Sequence, residues 1–191
     1  MKKIAILLMI ASLTILTKKN SYALVDLGVY GSYSFSGEIE TDGPTATPDP
    51  TGFEYGIIGH YNRSLLAFFN YGLGGYYQYS NLSYDLNVNN QKIEVDYNKN
   101  IIGLDAYLEL ALPMMPMHPY LKISSAIWEN TGGDLKRIDN EWFNTYSTGI
   151  GLAFTFFPMY QVFGEYQFSY SKMEDDKNTG NAIHLGLRVN I

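Results

Sequence analysis

Nine ionisable residues draw attention because each sits among residues that alternate between polar and apolar: Asp26, Glu54, His60, Asp105, Glu109, Lys122, Glu165, His184 and Arg188. Side chains of these types can transfer protons, ligate a metal, or pair with one another where water is scarce. Spacing tests each use. Asp105 and Glu109 share one face of an extended run four residues apart, about 13 Å at the usual rise, too far to share a proton as a catalytic dyad. His60, His118 and His184 lack a Ser or Asp partner at a spacing that hydrolysis would use, so no catalytic residue is assigned and no enzyme is predicted. Glu174, Asp175 and Asp176 form an acidic cluster without the ligand spacing of a calcium loop and read as a solvated loop tip, so no metal and no cofactor is predicted. Mutual pairing remains, because a desolvated charge is costly unless a partner compensates it.

The elements that must position these residues are strands. Apolar residues recur at every second position along most of the chain after residue 23, the pattern of half-buried β-structure. Val25, Leu27, Val29, Tyr33 and Phe35 oppose Asp26, Gly28, Tyr30, Ser32, Ser34 and Ser36; Phe53, Tyr55, Ile57 and Tyr61 oppose Glu54, Gly56, His60 and Asn62. A third run sets Leu65, Ala67, Phe69, Tyr71, Leu73, Tyr77 and Tyr79 against Asn70, Gly72, Gly74, Gln78 and Ser80, with Leu66, Phe68 and Tyr76 as apolar exceptions. From about Lys99, Ile102, Leu104, Ala106, Leu108, Leu110 and Leu112 oppose Gly103, Asp105, Tyr107 and Glu109. The fifth run is the least regular, with Leu121, Ile123 and Ile127 facing away from Lys122, Ser124 and Ala126. The sixth places Trp142, Tyr146, Ile150, Leu152, Phe154 and Phe156 opposite Thr145, Ser147, Gly149, Gly151 and Thr155. The seventh sets Tyr160, Val162, Tyr166, Phe168 and Tyr170 against Gln161, Glu165, Gln167 and Ser169, and the eighth sets Ile183, Leu185, Leu187, Val189 and Ile191 against His184, Gly186, Arg188 and Asn190.

The connections alternate in length. Those near Asn62 to Ser64, Pro113 to Pro119 and Phe157 to Met159 are tight; those near Gly37 to Thr51, Asn81 to Asn98, Glu129 to Asn140 and Ser171 to Gly180 are long and polar. Such asymmetry is that of a membrane barrel with short periplasmic turns and long external loops, which predicts both termini in the periplasm. At the front, Lys2 and Lys3 precede an apolar run from Ile4 to Leu16 and a closing Ser-Tyr-Ala at Ser21 to Ala23, which predicts a secretory signal peptide over 1–23 and a barrel over 24–191. The run is shorter than the roughly 20 residues of a spanning helix. The chain has no cysteine, hence no disulfide framework. Its net charge of -6 and pI near 5.0 exclude the basic footprint of a nucleic-acid partner.

The same alternation would suit a soluble carrier whose apolar face points inward around a ligand. The character of the other face separates the two: it is mostly Gly, Ser, Asn and Gln with isolated charges, suited to the narrow interior of eight strands and unlike a water-exposed wall. Aromatic residues make up 15% of the chain, and Tyr77, Tyr79, Trp142, Tyr160 and Tyr170 fall toward strand ends, as girdles at two membrane interfaces would. The nine ionisable residues then line the lumen, where Asp26 with Arg188 and Glu109 with Lys122 are the pairs that position suggests.

On these features the chain from about Leu24 to Ile191 resembles the small eight-stranded outer-membrane β-barrels exemplified by OmpX and the OmpA transmembrane domain. The resemblance implies an all-β, antiparallel up-and-down transmembrane barrel in the cell outer membrane. It also implies contact with outer-membrane lipid and lipopolysaccharide, delivery by the outer-membrane assembly machinery, and a monomer. Barrels of this kind commonly end in Phe; this chain ends in Ile191, on a strand that otherwise looks like the terminal assembly signal. Nothing after the eighth strand suggests a peptidoglycan-binding domain. The expected function is structural or interactive, carried by four exposed loops in adhesion, surface protection or envelope integrity with a host or environmental ligand. The alternative is a narrow pore for ions or small solutes.

Overall fold

A strand that is apolar on one face and polar on the other, repeated eight times with antiparallel connections, has no free edge only if the sheet closes on itself. The computed structural model does this. It describes residues 24–40, 50–66, 68–88, 91–111, 115–133, 138–139, 145–157, 159–173 and 176–191, so the expected signal peptide lies outside the described residues. In chain order the strands are β1 (Leu24–Glu40), β2 (Thr51–Leu66), β3 (Phe69–Val88), β4 (Gln91–Leu110), β5 (Met117–Gly133), β6 (Ile138–Asp139), β7 (Thr145–Phe157), β8 (Tyr160–Met173) and β9 (Asp176–Asn190). Eight of them are long and pair with their neighbours all the way round, β1 meeting β9; β6 is a two-residue addition beside Glu129 and Asn130 of β5. Backbone hydrogen bonds between Val25 and Ile191 finish the seam, 3.1 Å and 2.9 Å long.

Strand tilt follows from the register. Directly paired residues lead from Asp26 through His60, Gly74, Asp105, Ser124, Ser147, Ser169 and Gly180 back to β1 at Gly37, eleven positions beyond the start, one of them taken up by the irregularity between Ser34 and Ser36. That stagger tilts eight strands by about 40° and leaves a bore that side chains just fill.

The two faces separate as the alternation requires. Phe53, Ile57, Leu73, Leu104, Leu121, Ile150 and Leu185 point outward, Phe53 with 69% of its surface exposed. An outer wall this apolar is suited to lipid and costly in water. Aromatic pairs mark its rims, Tyr33 with Phe53 and Tyr55 with Tyr79 toward the long connections, and Phe156 with Phe157 and Tyr160 at the opposite end. Trp142 lies outside the described residues.

Several boundaries differ from the sequence expectation. The first tight connection is not at Asn62 to Ser64: β2 continues to Leu66, with Arg63 paired to Tyr71 and Ser64 to Asn70. The unbroken apolar stretch from Leu65 to Phe69 carries no alternation to mark the turn. His118 and Pro119 belong to β5 and not to a turn. Two of the segments expected as long loops, Asn81 to Asn98 and Ser171 to Gly180, are largely strand. β3 and β4 are 20 residues each and pair as far as Val88 with Gln91, while β8 and β9 pair as far as Met173 with Asp176. A spanning strand needs only about ten residues. Beyond the membrane both faces meet water, so the ladder continues while the contrast between faces fades. Leu82, Tyr84 and Tyr97, with Val95 against them, form a small buried cluster in this upper zone.

The irregular fifth run has a local cause. In β5, Ala126 pairs with Gly103 and Trp128 with Ile102, so Ile127 is an extra residue in a β-bulge. It shifts the parity of the strand, so that Ala126 is buried on one side of it and Glu129 on the other.

Candidate functional site

The interior forms two zones. In the lower zone, toward the short connections, Arg188 on β9 is only 2% exposed. Its guanidinium carbon lies 4.9 Å from the Tyr107 ring, 5.3 Å from Tyr120 and 5.2 Å from Phe163. Its nitrogens approach Glu109 at 3.4 Å and Asp26 at 3.9 Å. A delocalised cation, weakly hydrated and able to stack on aromatic faces, suits such a place better than an ammonium would. The Tyr107 hydroxyl is 2.7 Å from both Asp26 Oδ2 and Asn62 Oδ1, and His118 Nδ1 is 3.1 Å from Glu109 Oε1. Asp26 and Glu109 thus have two partners each, although Asp26 Oδ1 accepts no hydrogen bond.

One step higher, Lys122 pairs with Glu165, and His184 is stacked on Tyr30 with ring centroids 5.0 Å apart and its Nδ1 3.8 Å from Glu165. His60 Nε2 lies 2.9 Å from Asp105 Oδ1, close enough for an ion pair although out of line for a hydrogen bond. Both side chains are nearly sealed from solvent, 2% and 1% exposed. The two cavities in this region are about 10 Å³ each, room for about one water apiece.

All nine residues singled out in the sequence face the bore. Asp26 lies against Arg188 as position suggested, but Glu109 and Lys122 are not partners. Glu109 is paired in register with Tyr120, and Lys122 with Tyr107, so the two are offset along the strands; Glu109 turns to Arg188 and His118, Lys122 to Glu165.

The upper zone opens into a vestibule of about 80 Å³ lined by hydroxyls and amides, with Tyr76, Tyr97, Glu54 and Lys99 among them. Glu54 accepts hydrogen bonds from Ser32 at 3.1 Å and Ser80 at 3.2 Å. Lys99 is 2.6 Å from Glu129, whose other oxygen accepts from Thr145 at 2.7 Å. Lys99 and Glu129 escaped the sequence reading. Lys99 stood at the edge of a supposed loop, and the bulge at Ile127 concealed the inward parity of Glu129.

Inward aromatic rings were also underestimated. Tyr120 and Phe163 are buried, 4% exposed each, in a bore expected to hold small and polar groups. The signal was the glycine opposite each ring: a Cβ on Gly151 would meet Tyr120 at 2.4 Å, on Gly186 Phe163 at 2.5 Å, and on Gly72 Tyr107 at 2.3 Å.

No family model matches the chain, and no curated protein matches it in sequence. Solved structures do. Neisserial surface protein A aligns over 86% of this chain and 96% of its own with a TM-score of 0.56 at 14% identity. The β-barrel domain of Pseudomonas aeruginosa OprF aligns over 90% and 100% (TM-score 0.44, 14% identity), and Yersinia pestis Ail, in complex with sucrose octasulfate, over 87% and 99% (TM-score 0.44, 13% identity). With eight long antiparallel strands closed into a barrel, no helix among its described residues, and this likeness to the neisserial protein, the chain has the fold of the small eight-stranded outer-membrane β-barrels.

Proposed function

We propose that this chain is a non-enzymatic outer-membrane protein that acts through the segments it exposes at one end, in adhesion, surface protection or envelope integrity, and does not act as a pore. The observation that carries the reading is the plugged lower bore: Arg188 is enclosed by three aromatic rings and two carboxylates beneath the Lys122–Glu165 pair. A bore closed by paired charges leaves the outer rim as the surface free to meet a partner. The name of the neisserial relative, a surface protein, is in keeping with this. In the same reading residues 1–23 are removed on export, both termini lie in the periplasm, the protein is a monomer, and lipid, lipopolysaccharide and the assembly machinery are its envelope partners. Asp26, His60, Asp105, Glu109, Lys122, Glu165, His184 and Arg188 serve as a structural network.

The test is conductance of the refolded chain in planar bilayers. Wild-type protein is expected to give no steady single-channel steps. Steady steps that Glu109→Ala alters would restore the narrow pore and sink the structural role of the lower network.

A further inference from the structure

Six carboxylates of the described interior, Asp26, Glu54, Asp105, Glu109, Glu129 and Glu165, share three permanent cations, Arg188, Lys122 and Lys99. Asp26 and Glu109 use Arg188, with His118 also on Glu109; Glu165 has Lys122 and His184; Asp105 has His60; Glu129 has Lys99. Glu54 alone makes no ion pair among the described residues and holds only the Ser32 and Ser80 hydroxyls. It also lines the vestibule, which is larger than the two small cavities of the lower zone. The nearest cation on that wall, Lys99, is committed to Glu129, so a buried carboxylate beside the cavity is left where a cation from outside could gain.

The lining narrows the kind of cation. Among the described residues no group of three His, Cys, Asp or Glu is placed to hold a metal ion, and tight divalent sites in proteins commonly combine several oxygen ligands with more than one carboxylate. What surrounds the space instead is one carboxylate, two tyrosine side chains, Tyr76 and Tyr97, and many neutral acceptors. Asn178 Oδ1, on the cavity wall, is buried and accepts no hydrogen bond. One carboxylate, two tyrosine side chains and an unfilled acceptor match an ammonium group, which brings three donors and is attracted to aromatic rings.

We propose that the vestibule is a binding site for a small primary ammonium compound, its –NH₃⁺ held by Glu54 between Tyr76 and Tyr97. The site is independent of whether the rim is adhesive or protective. The plugged lower bore makes it a dead end, a site for capture and not for passage.

Calorimetric titration of 1,4-diaminobutane into the full chain refolded in a zwitterionic detergent tests this. Saturable binding is expected, with Glu54→Gln weakening it about ten- to a hundredfold, the range for loss of a charged hydrogen-bond acceptor. Glu94→Gln, on the exposed hairpin, is expected to leave it unchanged. Lys99→Gln, which removes the competing cation, is expected to tighten it. Heat-modifiable migration of each variant shows that it has folded. The proposal is overturned by absence of saturable heat, by Glu54→Gln binding as well as wild type, or by Lys99→Gln weakening the interaction. Sodium or calcium chloride giving the same Glu54-dependent heat would assign the site to a metal ion, and a neutral polyol binding as tightly would remove the role of charge; either result overturns it.

Discussion

Glycine and aromatic residues are coupled across this interior, and the coupling decides which glycines can change. Gly186 lies beneath Phe163, and an added Cβ would sit 2.5 Å from the Phe163 Cζ and 2.5 Å from the Val29 carbonyl oxygen. Neither can retreat, since Phe163 is itself wedged against Arg188. Gly31 faces outward with nothing within 4 Å of its Cβ position. Gly186→Ala is therefore expected to cost about 1–3 kcal/mol of overpacking strain, and Gly31→Ala to be neutral or to stabilise by up to about 1 kcal/mol through the unfolded chain. Urea unfolding of the two variants in lipid vesicles measures the difference. Equal stabilities would mean that the inward rings are mobile enough to yield, and that the lower plug is looser than its contacts imply.

At the scale of the strand, the alternation was legible wherever lipid lies on one side and the polar bore on the other, as in β1, β7 and β9. It failed where that contrast disappears. Leu65 to Phe69 hid the β2–β3 turn in a continuous apolar run, and the β3–β4 extension hid a regular ladder in a polar one. It failed also at β5, where one extra residue reverses the parity. Pairing of individual charges was half legible: the β1–β9 seam brings Asp26 to Arg188, but the choice of Lys122 between Glu109 and Glu165 depends on a register of two residues that composition does not encode. The bulge gives a sharp expectation. Since Ala126 and Trp128 already oppose consecutive residues of β4, deleting Ile127 removes the bulge and leaves Glu129 facing Lys99. Deleting Ile150 from the regular part of the β7 ladder, before the register shift between Thr155 and Phe157, instead turns one half of that strand inside out. On gels of unheated, detergent-refolded protein, the Ile127 deletion is expected to migrate as the compact wild-type band and the Ile150 deletion only as the unfolded one. If both deletions fold, the register of β7 is not fixed by its faces.

Through the spanning strands the usual relation of core to surface is inverted: most large aliphatic side chains face outward and the paired charges lie within, so stability belongs to the lipid as much as to the chain. A charge on the outer wall should then be penalised by depth and not by local packing. Leu185 lies near the middle of β9, between the levels marked by Tyr160 and Tyr166, and is 64% exposed; Tyr33 sits at the upper rim beside Phe53. Neither side chain is buried by protein, and in water a lysine at either place would cost little. In a bilayer, Leu185→Lys is expected to cost about 2–4 kcal/mol and Tyr33→Lys about 0–1 kcal/mol, because desolvation of the ammonium grows toward the midplane. Reversible unfolding from vesicles gives both values, and the order between them is what separates this molecule from a soluble carrier of the same topology. In a carrier the outer wall faces water everywhere, so the two substitutions would be equivalent. An apolar wall that tolerates lysine equally at both depths would mean that the barrel does not span a membrane.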